Sequence, residues 1–246
     1  MKKLIYILSV TFLMLQSCSS GDSSSGSDNS TLSGGLLLKQ MVTKNGETYT
    51  YEYNGNKITK INYDNNGYSL YTYTGDLITQ IKGFSADGVL SGSGEYFYSN
   101  NNLVRIKYIK NGILKSQDDF VYNSDGSVTS SYSSIVSGIQ KIDYYEKIYF
   151  INGNCVKLES GGKTAIYNYD TKNSPFKNIT GYLKLIRLGD NFLTINNPSS
   201  IINPIFSTTT NTINRTYQYN SEGYPISGTS IQDGSDAVAI TYYSYY

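Results

Sequence analysis

An aromatic-x-aromatic step recurs along this chain, as Tyr51/Tyr53, Tyr71/Tyr73, Tyr96/Tyr98, Phe120/Tyr122, Tyr167/Tyr169, Tyr217/Tyr219 and Tyr243/Tyr245. Residues two apart share one face of a strand and fall on different faces of a helix. The first four copies lie 20 to 25 residues apart, the length of one β-hairpin with its turns. In Tyr49-Thr50-Tyr51-Glu52-Tyr53 the rings take one face and Thr50 and Glu52 the other, the pattern of a sheet wet on one side.

Each pair is followed by a turn and a second short apolar strand. Asn54-Gly55-Asn56 leads into Ile58-Thr59-Lys60-Ile61, Thr74-Gly75-Asp76 into Ile78-Thr79-Gln80-Ile81, and Asn152-Gly153-Asn154 into Cys155-Val156-Lys157-Leu158. Asn-Gly and Gly-Asp supply the positive φ angles that tight hairpins need. Further turns, such as Asp64-Asn65-Asn66-Gly67, Asn111-Gly112 and Ser221-Glu222-Gly223, close the units. Two turns per unit make the chain an antiparallel meander. The apolar residues of the second strands stand three apart, as Ile58 and Ile61 do. Strict alternation cannot put both on one face, so either a β-bulge or a strand that starts after the first of them is expected.

The fold expected is therefore all-β, a long antiparallel meander of β-hairpin repeats with roughly a dozen strands. Open twisted sheets rarely exceed ~10 strands without curling, which predicts a curled half-pipe or partial barrel. Residues 170–214 break the pattern, with Pro175, Pro198 and Pro204 and no aromatic pair. Tyr182–Leu188 reads as a short strand or a helical turn. This irregular insertion, with Phe176, Leu183, Leu185, Phe192 and Ile195, is expected to cover the aromatic face of the sheet.

The N-terminus carries an address. Lys2 and Lys3 precede an apolar run from Leu4 to Leu15, too short to span a membrane as a helix. Leu15-Gln16-Ser17-Cys18 resembles a bacterial lipobox, departing from it at Gln16. The resemblance implies cleavage before Cys18 and lipidation of that residue, leaving residues 1–17 as the signal peptide. The alternative is an ordinary signal peptide with an incidental cysteine. Residues 18–33 then form a lipidated Cys with a disordered Ser/Gly tether. Residues 34–246 make one repeat-built β domain, large enough for a substantial core.

Composition narrows the chemistry. The chain has 26 Tyr, no Trp and no His. Absence of His excludes Ser-His-Asp and Cys-His centres. Loss of Lys2 and Lys3 with the leader leaves 18 basic against 19 acidic residues, so no field of one sign exists to attract nucleic acid. With Cys18 lipidated, Cys155 has no disulfide partner and reads as an inert buried thiol. Asp118, Asp119 and Glu146 are the carboxylates that a glycosidase reading would need, against a default of solvated strand charges. Asp64–Gly67 and Asn123-Ser124-Asp125-Gly126 faintly resemble calcium loops, but Asx-Gly turns account for them. No metal and no cofactor is expected.

The Tyr-x-Tyr-Asn-Gly-Asn…Ile-Thr-Lys-Ile units resemble the YD-type repeats of bacterial Rhs-like surface proteins. Together with the lipobox, the Ser-rich tether and Tyr167-Asn168-Tyr169-Asp170 leading to Asn173-Ser174-Pro175-Phe176, they are similar to a group of uncharacterised Bacteroidetes lipoproteins. The resemblance implies an outer-membrane lipoprotein of β-sheet architecture and transfers no catalytic residue. Strict Tyr-Asp steps occur at Tyr63-Asp64 and Tyr169-Asp170 and are absent from most units. The function expected is a membrane-anchored, non-enzymatic binding or structural module of the outer membrane, on its periplasmic or cell-surface side. Its partner would be an envelope protein or a glycan. The alternatives are a carbohydrate-binding accessory lipoprotein and, third, a glycan-degrading enzyme.

Overall fold

The structure, a computed structural model, describes residues 35–188, 191–203 and 212–246. The signal peptide, Cys18 and the tether to residue 33 lie outside them. Strands run as β1 (Leu38–Val42), β2 (Thr48–Asn54), β3 (Lys57–Tyr63), β4 (Tyr68–Thr74), β5 (Leu77–Phe84) and β6 (Leu90–Ser99). Next come β7 (Asn102–Lys110), β8 (Ile113–Tyr122), β9 (Val128–Val136), β10 (Ile139–Ile151), β11 (Asn154–Ser160) and β12 (Lys163–Tyr169). After a 3-10 turn at Tyr182–Leu185 follow β13 (Arg187–Leu188), β14 (Asn191–Phe192), β15 (Pro198–Ile202), β16 (Thr212–Tyr219), β17 (Pro225–Gln232) and β18 (Val238–Tyr245).

The antiparallel meander is present, but it is neither a half-pipe nor a partial barrel. Sixteen strands close into a barrel, all except the small β13–β14 pair. Closure is made by β1, which pairs with β2 on one side and β18 on the other. Leu38 faces Tyr245, and Met41 faces both Tyr49 and Tyr243. An open sheet of this length would leave two rows of unpaired backbone groups, and joining its ends removes both. The strand that does this precedes the first aromatic pair, so the repeat alone did not announce it.

The expected bulges sit in a ring at one rim. Tyr51 faces Ile61, Glu52 faces Lys60, then Tyr53 faces Ile58, so Thr59 is skipped. Thr79, Val104 and Val156 are skipped in the same way opposite Tyr73, Tyr98 and Phe150. The extra residue turns both members of each apolar pair inward: Ile58 and Ile61, like Leu103 and Ile106, are buried. On β10, Ile148 and Phe150 take the place of an aromatic pair.

Second tyrosines of the pairs latch this rim. Their hydroxyls donate to carbonyls at the start of the preceding strand: Tyr53 to Leu38 at 2.7 Å, Tyr98 to Ile78 at 2.8 Å, Tyr122 to Leu103 at 3.1 Å, Tyr169 to Cys155 at 2.7 Å and Tyr245 to Pro225 at 2.8 Å. The phenol spans the distance between neighbouring strands and carries its own donor, so a buried ring leaves no orphan hydroxyl.

Side-chain volume from the wall cannot fill a barrel of this strand number. The described residues of 170–197 fill part of it. Chain exit and return are joined at Asp170 and Asn197, where each backbone N–H is tied to the other residue, at 3.0 and 3.2 Å. Asp170 also accepts from the Tyr219 hydroxyl. Between them the segment packs Ile179, Tyr182, Leu185 and Leu193 into the core beside Tyr51, Tyr71 and Tyr96. It touches hairpins around the rim, through Thr180 N–H to Asn56 O, Asn196 to Asn154, and Asn173 to Glu222 O. The expected boundary at 214 needs correcting. Pro198–Ile202 is a barrel strand paired with β12, and β16 begins at Thr212. Proline is tolerated there because it opens the strand, at a bulge.

Candidate functional site

Beneath the plug lies a chamber of about 520 Å³, bounded by the plug and by strands β1–β4 and β16–β18. Phe176 stacks on Tyr182 at 5.3 Å and tilts against Tyr51 at 6.4 Å, and Tyr182 tilts against Tyr71 at 6.4 Å. These rings make the roof. Tyr217 and Tyr243 line the wall, and Met41, Thr43, Tyr49, Tyr63 and Ala239 continue it towards the rim opposite the plug. Gly228 keeps the wall thin: a Cβ there would stand 2.9 Å from ring atoms of Tyr217. Glycine weakens a strand interior, and here it gives the tyrosine ring room to lie against the backbone.

Arg215 is the one ionised side chain among the described residues that line this chamber. It points inward from β16 because it alternates with outward Asn214 and Thr216 and follows Ile213 on the face shared with Tyr217. Its positive charge acts on the Tyr169, Tyr217 and Tyr243 hydroxyls, favouring their ionised forms, but burial outweighs it at all three. Tyr243 is pushed up to about 12. Tyr51 and Tyr71 are raised well above the usual phenol value, first by burial.

The carboxylates singled out in the sequence are not in the chamber. Asp118 and Glu146 are buried inside the barrel on β8 and β10, with β9 between them. Asp118 faces Tyr132, whereas Glu146 faces Ser130, so they sit on different rungs. Tyr108 donates to Asp118 at 2.9 Å. Asp119 points outward and pairs with Arg105 at 2.6 Å. The two calcium-like loops are turns: Asn65 Oδ1 accepts from Gly67 N–H, and Asp125 Oδ1 from Ser127 N–H. The Ser127 hydroxyl, and then Lys147, hold the Asp125 carboxyl below its usual range. Among the described residues no group of three His, Cys, Asp or Glu could hold a metal. Cys155 is fully buried, its Sγ 3.7 Å from Lys157 O.

The outer wall mixes charged side chains with exposed apolar ones such as Leu70, Phe97, Val121 and Tyr145. Glu52, Lys60, Lys82, Glu95, Arg105, Lys107, Asp119, Lys147, Lys157 and Glu159 are the outward neighbours of inward-facing residues. They form ion pairs along the wall, such as Lys157–Glu159 at 2.9 Å, where Tyr149 donates to the same carboxylate. On β17 and β18 the outward face is uncharged, with Ile231, Ile240 and Tyr242 exposed. Rings are packed inside, and Lys60–Glu52, Arg105–Asp119 and Lys157–Glu159 interrupt the outer wall, where a lipid-spanning barrel carries an apolar outward band.

The sequence did not reveal the chamber or Arg215. Their only local signal is a basic residue at an inward position of β16, two before Tyr217.

No protein-family model matches the chain, and no curated protein resembles it in sequence. Among solved structures it is similar to a porin-like protein from Bacteroides vulgatus, at 13% identity and a TM-score of 0.56, covering 85% of this chain and 99% of that one. It also matches a porin-like protein from Bacteroides uniformis at 15% identity and a TM-score of 0.40, covering 81% and 77%. At such identity the first likeness bears on fold alone, and it supports the closed all-β barrel.

Proposed function

We propose that this protein is a lipid-tethered, water-facing β-barrel of the bacterial outer membrane that binds a small ligand in its chamber and catalyses no reaction. The observation that carries this is the charge on the outer wall, with ion pairs at mid-strand, set against rings packed inside. A Lys or Arg facing lipid at mid-membrane costs about 2–4 kcal/mol. Lys60, Lys82, Arg105, Lys107 and Lys157 would each meet that cost. Acylation at Cys18 supplies the anchor instead, and two or more acyl chains hold a protein stably. The Bacteroides vulgatus porin-like structure supports the fold alone, and outer-membrane residence on this reading comes through the tether. Nucleic acid is not a partner on this reading. An envelope protein would dock on a surface other than a strand edge, since closure removes the edges.

Cell fractionation tests this. Wild-type protein is expected in the membrane fraction, released only by detergent, and Cys18→Ala in the soluble fraction. A Cys18→Ala protein that still needs detergent would show that the barrel itself sits in lipid. Carbohydrate binding is the second reading, favoured by aromatic rings beside Asn196 and Asn197 in the chamber. A glycan array probed with Cys18→Ala protein scores it.

A further inference from the structure

We infer that the chamber takes an amphiphile with a single anionic head and an apolar body, and that Arg215 receives the head. The inference rests on the binding reading above and names the class of ligand.

Three observations carry it. The chamber's volume, about 520 Å³, lies within the range of small-molecule sites. Its lining is largely aromatic and aliphatic, so a ligand's body would be held by burial of apolar surface. Finally, among the described residues no carboxylate forms an ion pair with Arg215. The ion pairs among the described residues are Lys57–Asp76, Lys60–Glu52, Arg105–Asp119, Lys147–Asp125 and Lys157–Glu159. None involves Arg215, and the ring–cation contacts among the described residues are all made by lysines.

The half-buried guanidinium is partly desolvated, and among the described residues no carboxylate offsets that cost. The same arrangement favours an incoming anion. The planar fork matches a carboxylate, sulfonate or phosphate with two parallel hydrogen bonds. Tyr243 adds a hydroxyl near the head, while the Tyr217 hydroxyl donates to Pro198 O at 3.0 Å, and the Phe176–Tyr182 stack forms a roof over the body. A neutral sugar would leave the guanidinium without its charge partner. A cation would be repelled.

The test uses the full chain carrying Cys18→Ala, which avoids detergent. The probes are 8-anilinonaphthalene-1-sulfonate, decanoate and the neutral isostere decanol. One sulfonate is expected to bind per chain, with enhanced fluorescence. Decanoate should displace it, and decanol should do so only at much higher concentration. Arg215→Met should weaken sulfonate binding roughly tenfold or more, the loss of a charge-assisted contact. Arg215→Lys should fall between. Thermal unfolding of both variants checks that they fold, and the decanoate–decanol comparison needs no variant. Equal displacement by decanol, or unchanged sulfonate affinity in a folded Arg215→Met, would overturn the anionic class and leave the binding chamber standing. If neither decanoate nor decanol enters, both the class and the chamber reading fall.

Discussion

A tyrosine ring packs like phenylalanine and carries a hydrogen bond that phenylalanine lacks. In this barrel both halves of the side chain are used. Rings of the first members, Tyr51, Tyr71 and Tyr96, are buried in the core, and hydroxyls of the second members close the plug rim. Tyr98→Phe keeps the ring and leaves the Ile78 carbonyl without that donor. It should lower stability by about 1 kcal/mol, read as a shift in denaturant midpoint at unchanged slope.

The same burial sets the response to alkali. Folded-state values for Tyr51, Tyr71 and Tyr243 are raised, the last to about 12, whereas an unfolded chain titrates near 10. Above pH 10 the unfolded chain therefore loses protons that the folded one keeps, and unfolding is favoured. Stability from these tyrosines is fully present below pH 10 and declines as pH rises towards 12 and beyond. Phenolate absorbance should appear together with loss of β-sheet circular dichroism in one cooperative step. Smooth titration of all tyrosines near pH 10 with the sheet intact would contradict the burial.

At the level of elements, the bulge is the device that makes the repeat work. A hairpin with strict alternation would turn Ile58 or Ile61 outward, and skipping Thr59 turns both inward. Three-residue spacing between Gly-rich turns made this legible in advance. The plug contacts were not legible. Gly181 has φ of 73°, and a Cβ there would run into the Asp76 carbonyl in the β4–β5 turn. That carbonyl belongs to a tight hairpin, so it has little freedom to move. Gly181→Ala should cost more than about 1 kcal/mol and loosen the plug, read as a lower Tm and faster amide exchange at Tyr182 and Leu185. No feature of Thr180-Gly181-Tyr182 alone distinguishes this glycine from an ordinary loop glycine.

For the whole molecule, the plug stands in place of the core that a smaller barrel builds from its wall. Replacing residues 174–195 by a short Gly/Ser link should uncover Tyr51, Tyr71 and Tyr96. More 8-anilinonaphthalene-1-sulfonate should then bind, and the denaturant midpoint should fall. An unchanged midpoint with no added dye would show the segment to be an appendage.

Period-two aromatics, Asx-Gly turns and three-residue apolar spacing determined most of the strands, their antiparallel order, the bulges and the aromatic inner face, because each is a local rule of backbone geometry. β1 and β15, which carry no such pair, lay outside that reading. Closure was decided only in three dimensions. It depends on Leu38–Val42 meeting both Thr48–Asn54 and Val238–Tyr245, a pairing between chain ends that no local pattern encodes. The same is true of the chamber. Arg215 reads in sequence as one more strand charge beside Thr216, and it becomes a candidate anion site only because closure turns its face inward and the plug roofs the space it enters.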